Sequence, residues 1–160
     1  MQIRIATALD APAILALSEE LERVHREHHP GLYRSAEALV IDSTFVARSL
    51  GDPNVGLLVA ASGGVVCGFV RVVATRTPEG HALLARSFAR VDELAVAPDA
   101  RRNGVGNSLL EAAEGWARSQ GLPAMEVTVW AFNQAASQLY EKHGFGVLRQ
   151  YLRKQLDPKG

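Results

Sequence analysis

Residues 91–121, VDELAVAPDARRNGVGNSLLEAAEGWARSQG, decide the fold because they join a strand-like run to a helix through a short basic turn. Two glycines, Gly104 and Gly106, open the helix, which the pattern predicts over 104–119. One face of that helix is apolar and predicts burial against a sheet; it carries Leu109, Leu110, Ala113, Trp116 and Ala117.

The turn before this helix has the features of an anion site. Glycine lets a ligand approach the backbone closely, and the first turn of a helix has unpaired N–H groups and a positive dipole end. Arg101 and Arg102 add charge. The alternative is a tight turn with two arginines in water. A P-loop needs Lys-Ser/Thr after its second glycine, and a dinucleotide fingerprint needs Gly or Ala where Leu109 stands, so neither nucleotide motif fits.

Composition places the chain among globular α/β proteins rather than among nucleic-acid or membrane-surface binders. The 160 residues suit one domain, 1–160, with 48% apolar and 21% charged residues. Seventeen basic residues balance seventeen acidic ones, which argues against a basic binding surface. The lone Cys67 is predicted to be a small buried hydrophobe. No run is long enough for a membrane span and no signal-peptide segment is found, which predicts a cytoplasmic protein.

The remaining patterns predict alternating elements. Asp10 is placed to cap the first helix, with Pro12 in its first turn. A second helix is predicted at about 35–50, and a third short one over 133–144. Strands are predicted over 3–6, 55–61, 65–74, 85–96, 124–132 and 145–156, with a hairpin between the second and third. The order β-α-α-β-β-β-α-β-α-β predicts one α/β domain with a mixed sheet.

Two motifs in this order resemble the GNAT N-acetyltransferase superfamily. The first is Arg101-x-x-Gly104-x-Gly106 opening a helix after DELAVAPDA, and the second is NQAASQLYEKHGF over 133–145. The resemblance covers 85–147 by motif and the rest by topology. It implies a single GNAT-like domain, with a mixed central sheet flanked by helices and a splayed strand pair forming an acyl-CoA cleft.

The resemblance also implies acetyl-CoA as co-substrate, with no metal. The pantetheine arm is expected along Leu94, Ala95 and Val96, where a bulge is predicted and the next strand splays away at 127–130. Asn133 is expected to contact that arm or to fix the strand end. The pyrophosphate is expected on a turn whose backbone amides bind it, made of Arg101, Arg102, Asn103, Gly104, Val105, Gly106 and Asn107.

The resemblance makes Tyr140 the candidate general acid, and the alternative is a helix tyrosine that packs on the sheet with its hydroxyl at the surface. A thiol has a pKa of about 8.5 and a phenol of about 10, so a neutral tyrosine can protonate a departing thiolate. For the base that deprotonates the acceptor amine, strand alternation is expected to send Asp92 and Glu93 to opposite faces, so only one of them can face the cleft directly. Glu93 ranks ahead of Asp92. Water with no protein base is the alternative. With Cys67 discounted, direct attack in a ternary complex is predicted.

The acceptor is predicted to be a primary amine, in a peptide or a small molecule. By resemblance, His28 and Tyr33 are assigned to acceptor binding. Trp130 is assigned to it because its strand position could line the cleft, with packing on the sheet as the alternative. His25 and His29 have the spacing of two metal ligands on a helix, but Glu27 is not where H-E-x-x-H requires it, so no metal is predicted.

Two other functions remain open from sequence. One is a non-catalytic GNAT-fold module that senses acyl-CoA, and the other is a nucleotide-phosphate binder. Members of the superfamily are often dimers, so the resemblance is compatible with a homodimer.

Overall fold

The computed structural model describes residues 1–35 and 44–156. Four helices and five strands follow one another in these residues: β1 (Gln2–Ile5), α1 (Ala11–His28), α2 (Phe45–Gly51), β2 (Val55–Ser62), β3 (Val65–Thr77), β4 (Arg86–Val96), α3 (Val105–Ser119), β5 (Met125–Val127) and α4 (Gln134–Lys142). Short 3-10 turns at Ala8–Asp10 and Pro98–Ala100 precede α1 and the basic turn.

The five strands form one mixed sheet in the order β1-β2-β3-β4-β5. The first three pairings are antiparallel and the last, β4 with β5, is parallel. Gly63 and Gly64 form the β2–β3 turn with φ angles of 58° and 83°, a conformation that glycine adopts without steric cost.

Helices cover both faces of the sheet, which explains why the central strands are apolar throughout rather than alternating. One core lies under α1 and α2 and the other under α3 and α4. The first core buries Ala6, Ile14, Leu17, Val46, Leu57, Val59, Phe69 and Ala95. The second buries Leu58, Ala60, Val70, Val72, Ala89, Val91, Val105, Leu109, Leu110, Ala113, Ala117 and Tyr140.

Two glycines bring α3 close to the sheet. A Cβ on Gly68 would lie 3.0 Å from both Leu109 Cδ1 and the Ala95 carbonyl oxygen. A Cβ on Gly56 would lie 2.7 Å from Trp116 Cδ2, so the indole packs directly on the bare backbone. This close packing fixes the N-terminus of α3, and with it the basic turn, beside the end of β4.

Most predicted elements are confirmed. The first helix begins after Asp10, the hairpin lies at Gly63–Gly64, and α3 spans 105–119 against the predicted 104–119. The strand β3 extends to Thr77, three residues beyond its predicted end at 74. Of the helix predicted at 35–50, Phe45–Gly51 is present, and 36–43 lie outside the described residues.

Two strand predictions are wrong, because one strand is shorter than predicted and the other is absent. The strand over 124–132 is only Met125–Val127, because its parallel pairing with β4 stops after three residues. Residues 145–156 are not a strand at all. The Phe145 N–H still donates to the Tyr140 carbonyl at the end of α4, but the segment beyond it pairs with no strand in the described part of the chain.

Candidate active site

A split in the sheet provides the cleft. Only Ala89, Arg90 and Val91 of β4 pair with β5, so within residues 1–35 and 44–156 the edge of β4 beyond Val91 has no strand beside it. The Ala97 N–H donates to the Cys67 carbonyl, toward β3, at 2.9 Å. In an antiparallel pair the hydrogen-bonding direction alternates, so the N–H groups of Leu94 and Val96 point the other way, into the split. These are the polar groups that an extended ligand can pair with.

A β-bulge at Asp92 creates this arrangement. Arg71 pairs with Glu93 whereas Val72 pairs with Val91, which leaves Asp92 as the extra residue. The bulge therefore lies at Asp92, and the prediction of a bulge at 94–96 is wrong. The prediction that Asp92 and Glu93 point to opposite faces is also wrong, because a bulge puts two consecutive side chains on one face, here the face covered by α1 and α2.

Glu93 is held on that face by α1. The Ser18 hydroxyl donates to Glu93 Oε2 at 2.8 Å. Burial raises the pKa of Glu93 above its usual value, and the charges of Glu22 and Asp92 act in the same direction. The hydrogen bond from Ser18 and the charge of Arg71 oppose that rise. A carboxylate with a raised pKa at the mouth of a cleft suits proton transfer.

Asp92 has a different environment because two arginines bind it. Arg71 donates to Oδ2 and Arg90 to Oδ1 of its carboxylate. Arg71 also donates to Ser49 Oγ at 3.1 Å and lies over the Phe45 ring, 5.5 Å from its centroid. Both oxygens of Asp92 therefore have cationic partners, whereas Glu93 accepts a bond from one neutral hydroxyl.

The basic turn forms an anion cradle. Arg102 and Gly104 both have positive φ, 65° and 80°. None of the backbone N–H groups from 102 to 107 donates to an acceptor in residues 1–35 or 44–156. A Cβ at Gly104 would meet nothing within 4 Å, so the turn is open to a ligand. Six free N–H groups at a helix N-terminus fit a diphosphate.

Arg101 joins the cradle to the split. Its Nε donates to the Val96 carbonyl at 3.0 Å, and its Nη2 lies 4.0 Å from Glu20 on α1. The Arg102 side chain is exposed and remains at the rim of the turn. The two arginines thus differ, since one braces the end of β4 and the other is placed for a ligand.

Tyr140 lies on the other face of the sheet from Glu93. It is 8% exposed, belongs to the core under α3 and α4, and packs edge-on against Phe145 with ring centroids 5.5 Å apart. Its hydroxyl makes no hydrogen bond within the described ranges. Burial raises the pKa of Tyr140 to about 12, so its hydroxyl keeps its proton at neutral pH.

Asn133 has a structural contact as well as a place beside the split. Its Oδ1 accepts from the Ala136 N–H at 3.1 Å and so caps α4, while its Nδ2 has no acceptor in the residues described. In the basic turn at the start of α3, the Asn107 Oδ1 lies 3.4 Å from Nε2 of His143, the residue that follows α4. This contact connects α3 with α4.

An aromatic cluster lies where the end of α1 meets the segment after β5. Its members are His25, His28, His29, Tyr33, Trp130 and Phe132. His28 stacks on Phe132 at 3.9 Å, and His29 lies 4.5 Å from Trp130. The structure thus brings the three predicted acceptor residues, His28, Tyr33 and Trp130, into one cluster.

Sequence reasoning missed a polar stripe on α1. Ser18, Glu22, His25 and His29 are spaced four, three and four residues apart and share one helix face. The stripe begins at Ser18, which contacts Glu93, and ends at the aromatic cluster. Glu22 makes no ion pair with any described residue, unlike Glu20 and Glu27, which both pair with Arg23. The i, i+4 spacing of Ser18 and Glu22 is the sequence pattern that could have predicted this polar stripe.

Two further features, a metal centre and a membrane-spanning helix, are absent from the described residues. In the part of the chain that the structure describes, no group of three or more His, Cys, Asp and Glu side chains is placed to hold a metal ion. Within the same residues, no helix combines the length and the apolar character needed to cross a membrane.

Comparison with known proteins identifies relatives of the whole domain. The model of the acetyltransferase (GNAT) family matches residues 15–145. An uncharacterized N-acetyltransferase, YhfO of Bacillus subtilis (strain 168), is 29% identical over 145 residues, which are 91% of this chain and 89% of that protein.

Solved structures share the fold. A mutant of the BH1408 protein from Bacillus halodurans superposes with a TM-score of 0.90 at 21% identity, covering 98% of this chain and 99% of the other. The aminoglycoside N-acetyltransferase AAC(6')-Iy, solved in complex with CoA, superposes with a TM-score of 0.74 at 15% identity, covering 98% and 100%. With the family model matching most of its length, the chain belongs to the GNAT acetyltransferase family.

Proposed function

We propose that this protein is an acetyl-CoA-dependent N-acetyltransferase that transfers the acetyl group directly to a primary amine in a ternary complex. The observation that carries the proposal is the continuity between the unpaired edge of β4 and the free N–H groups at 102–107. A ligand with an extended, amide-containing arm and a terminal diphosphate matches both parts. The CoA in the complex of AAC(6')-Iy supports the same choice of ligand.

The cradle and the β4 edge would bind different parts of the cofactor. The N–H groups at 102–107, with Arg102 at the rim, would hold the diphosphate, and the β4 edge at Val96, next to the cradle, would pair with the pantetheine arm. Acetyl-CoA supplies an activated acetyl group as a thioester. The Leu94 N–H, which lies beside Glu93 and farther from the cradle, is the donor we assign to the carbonyl oxygen where negative charge develops. The Nδ2 of Asn133 is free to donate to the same arm.

Glu93 and Tyr140 would move the protons from opposite faces of the sheet. Glu93 accepts a proton from the acceptor ammonium, directly or through water, which frees the nitrogen lone pair for attack. The nitrogen forms a bond to the thioester carbon, the carbon–sulfur bond breaks, and the nitrogen loses its second proton to water. Tyr140 donates its hydroxyl proton to the departing sulfur, and solvent later reprotonates it. Asp92 acts as a positioning residue, because its carboxylate is bound by Arg71 and Arg90.

The acceptor would enter along the α1 stripe. Glu22 and Glu93 are carboxylates without cationic hydrogen-bond partners at this end of the cleft, and they favour an approaching ammonium. The aromatic cluster offers ring faces to the rest of the acceptor. The relative AAC(6')-Iy is named as an aminoglycoside N-acetyltransferase, which supports small-molecule amines as the first class to test.

The test has two stages. Acetyl-CoA should raise the melting temperature, whereas ATP and NAD should not. Release of CoA is then measured over a panel of primary amines. Turnover on any amine supports the enzyme, and lack of stabilisation by acetyl-CoA would refute the ligand assignment.

A non-catalytic acyl-CoA sensor is the second candidate. Tight binding of acetyl-CoA with no turnover over the panel would favour it. The raised pKa of Glu93 and the protonated Tyr140 support the enzyme, because binding the cofactor requires neither group.

A further inference from the structure

Helix α1 contacts both walls of the split in the sheet. Near the middle of the helix, the Ser18 hydroxyl donates to Glu93 on β4 at 2.8 Å. At the end of the helix, His28 stacks on Phe132, which follows β5, with ring centroids 3.9 Å apart. The stretch of α1 between these two contacts therefore lies over the gap between β4 and the segment after β5, on the face that holds Glu93.

The register of the sheet places Trp130 on the wall opposite Glu93. β5 runs parallel to β4, with Val127 beside Val91. Parallel chains advance in the same direction, so Trp130 comes near the level of Leu94 although the two chains no longer pair there. The gap under α1 thus has a carboxylate on one wall and an indole on the other.

Helix geometry sets the distance between the carboxylate and the rings. An α-helix rises about 1.5 Å per residue, so His25 lies roughly 10 Å along the axis from Ser18, and Glu22 lies roughly 6 Å from it. The ring centroid of His25 is 6.3 Å from that of Trp130. A molecule that reaches from Glu93 to the rings therefore needs a cationic end and a flat end joined by a short linker.

The gap has carboxylate partners for one ammonium only. Glu22 and Glu93 have no cationic hydrogen-bond partner in residues 1–35 and 44–156, whereas Asp92 is bound by Arg71 and Arg90. Burial and the charge of Glu22 both raise the pKa of Glu93. An ammonium between these two carboxylates relieves their repulsion and presents its proton to the proposed base.

The aromatic cluster suits a neutral ring better than a second ammonium. Burial lowers the pKa of His25, and the charges of His28 and His29 act in the same direction. Half of the rings in the cluster are imidazoles, which gain positive charge as the pH falls and so repel a cation. The faces and edges of the indole and phenyl rings pack well against another aromatic ring.

We propose that the acceptor is an arylalkylamine with a single positive charge, whose ammonium lies between Glu22 and Glu93 and whose ring packs against Trp130 and Phe132. Polyamines and other polycations are poor acceptors, because their further ammonium groups find no carboxylate beside the rings. This choice of acceptor rests on the proposed acetyl transfer and narrows its primary amine to one chemical class.

The first test compares kcat/KM for three amines at saturating acetyl-CoA. They are 2-phenylethylamine, propylamine, which has the ammonium without the ring, and spermidine, which has several ammonium groups. We expect 2-phenylethylamine to exceed the other two by about tenfold or more, because only its ring occupies the aromatic cluster. If propylamine or spermidine is an equal or better acceptor, the arylalkylamine assignment is overturned while the acetyltransferase activity stands.

The second test changes the ring that lines the gap. Trp130→Leu should lower kcat/KM for 2-phenylethylamine by about tenfold and that for propylamine by less than about twofold. Trp130→Phe, which keeps an aromatic ring, should restore most of the preference. Leu84→Ala, in the exposed loop between β3 and β4, is the control and should match the wild type on both amines. Equal losses on both amines in Trp130→Leu would show a purely structural role and overturn the assignment.

The third test locates the ammonium. Glu22→Gln should raise the KM for 2-phenylethylamine by about fivefold, because the ammonium loses one of its two carboxylates. Glu19, an exposed residue of α1, provides the control, and Glu19→Gln should leave the KM unchanged. A wild-type KM in Glu22→Gln would contradict the placement of the ammonium between Glu22 and Glu93.

A binding measurement separates the choice of acceptor from the reaction. 2-Phenylethylamine is titrated calorimetrically into the protein saturated with CoA, where no acetyl group can be transferred. We expect saturable binding that weakens by about tenfold in Trp130→Leu. Such binding without turnover of any amine would support the arylalkylamine site and refute the enzyme, whereas the absence of saturable binding would overturn the arylalkylamine site.

Discussion

Ser18 on α1 donates its hydroxyl hydrogen to Glu93 on β4, across 75 residues of sequence, at 2.8 Å. The bond crosses from the helix layer to the sheet at the mouth of the split. It stabilises the charged form of Glu93 and so opposes the rise in pKa that burial causes. A helix 75 residues earlier in the chain therefore moderates the pKa of the proposed base.

Ser18→Ala should raise the pKa of Glu93 further. A base must be deprotonated to act, so kcat/KM falls as the pH drops through the pKa of Glu93. We expect the acidic limb of the profile to move to higher pH in Ser18→Ala, with the activity at high pH retained. Ser18→Thr, which keeps the hydroxyl, should restore the wild-type limb. If the acidic limb of the kcat/KM profile of Ser18→Ala coincides with that of the wild type, the hydrogen bond from Ser18 does not affect the catalytic base.

Glu93→Gln should remove the proposed base without changing the shape of the side chain. We expect kcat to fall by about 100-fold or more, the usual contribution of a positioned base, and the acidic limb to disappear. Exposed Glu111 on α3 provides the control, and Glu111→Gln should have wild-type kinetics. If Glu93→Gln keeps full activity, water without a protein base is sufficient.

The local parts of this site were predictable from sequence and the non-local parts were not. The glycine turn and α3 lie within some 20 consecutive residues, so their pattern is visible in one stretch of sequence. The bulge at Asp92 is a register shift between β3 and β4, and no local pattern shows which residue is extra. The partners Ser18 and Arg71 lie far along the chain from Glu93, and only the packing of α1 and β3 brings them there.

Tyr140→Phe should lower kcat by about 100-fold and leave the Kd for acetyl-CoA unchanged, because the hydroxyl is assigned to proton donation alone. The ring packing against Phe145 is kept, so the melting temperature should not fall. The wild-type pKa of about 12 also predicts that Tyr140 adds no basic limb to the pH profile below about pH 11. An unaltered kcat in the variant would remove Tyr140 from the mechanism.

Gly104→Val should weaken acetyl-CoA binding by about tenfold or more. Gly104 has a φ of 80°, where a β-branched residue costs roughly 1–2 kcal/mol, and a side chain would also stand in the open cradle. The control is Gly115→Ala in the middle of α3, where a Cβ meets nothing within 4 Å. That change should stabilise the helix by about 0.5–1 kcal/mol and leave the Kd unchanged. Wild-type affinity in folded Gly104→Val would contradict the placement of the diphosphate.

The C-terminal segment shows why the last strand was predicted wrongly. Its residues alternate and include apolar side chains, which are the local requirements of a strand. A strand also needs a neighbour, and the described part of one chain provides none for 147–156. Asp10 shows a related limit of prediction near the N-terminus. Its position is suited to capping α1, but its side chain accepts hydrogen bonds from Arg4 instead.

Asp10→Asn should destabilise the fold through a pair that sequence reasoning did not find. The side chain of Asp10 makes no capping bond to α1; its two oxygens accept from Arg4 Nη1 and Nη2, both at 2.7 Å, and Oδ2 also accepts from the Thr7 N–H. Asp10 is 5% exposed, and the Arg4 guanidinium holds the pKa of that carboxyl well below its usual range. A depressed pKa contributes stability above the unfolded-state pKa of about 4, and that contribution is lost as the pH falls.

We expect Asp10→Asn to lower the free energy of unfolding by about 2 kcal/mol at pH 7 in urea titrations, with the difference from wild type shrinking below about pH 4. Exposed Asp99→Asn should change stability by less than about 0.5 kcal/mol, and an equally small effect at Asp10 would mean that the pair does not stabilise the fold.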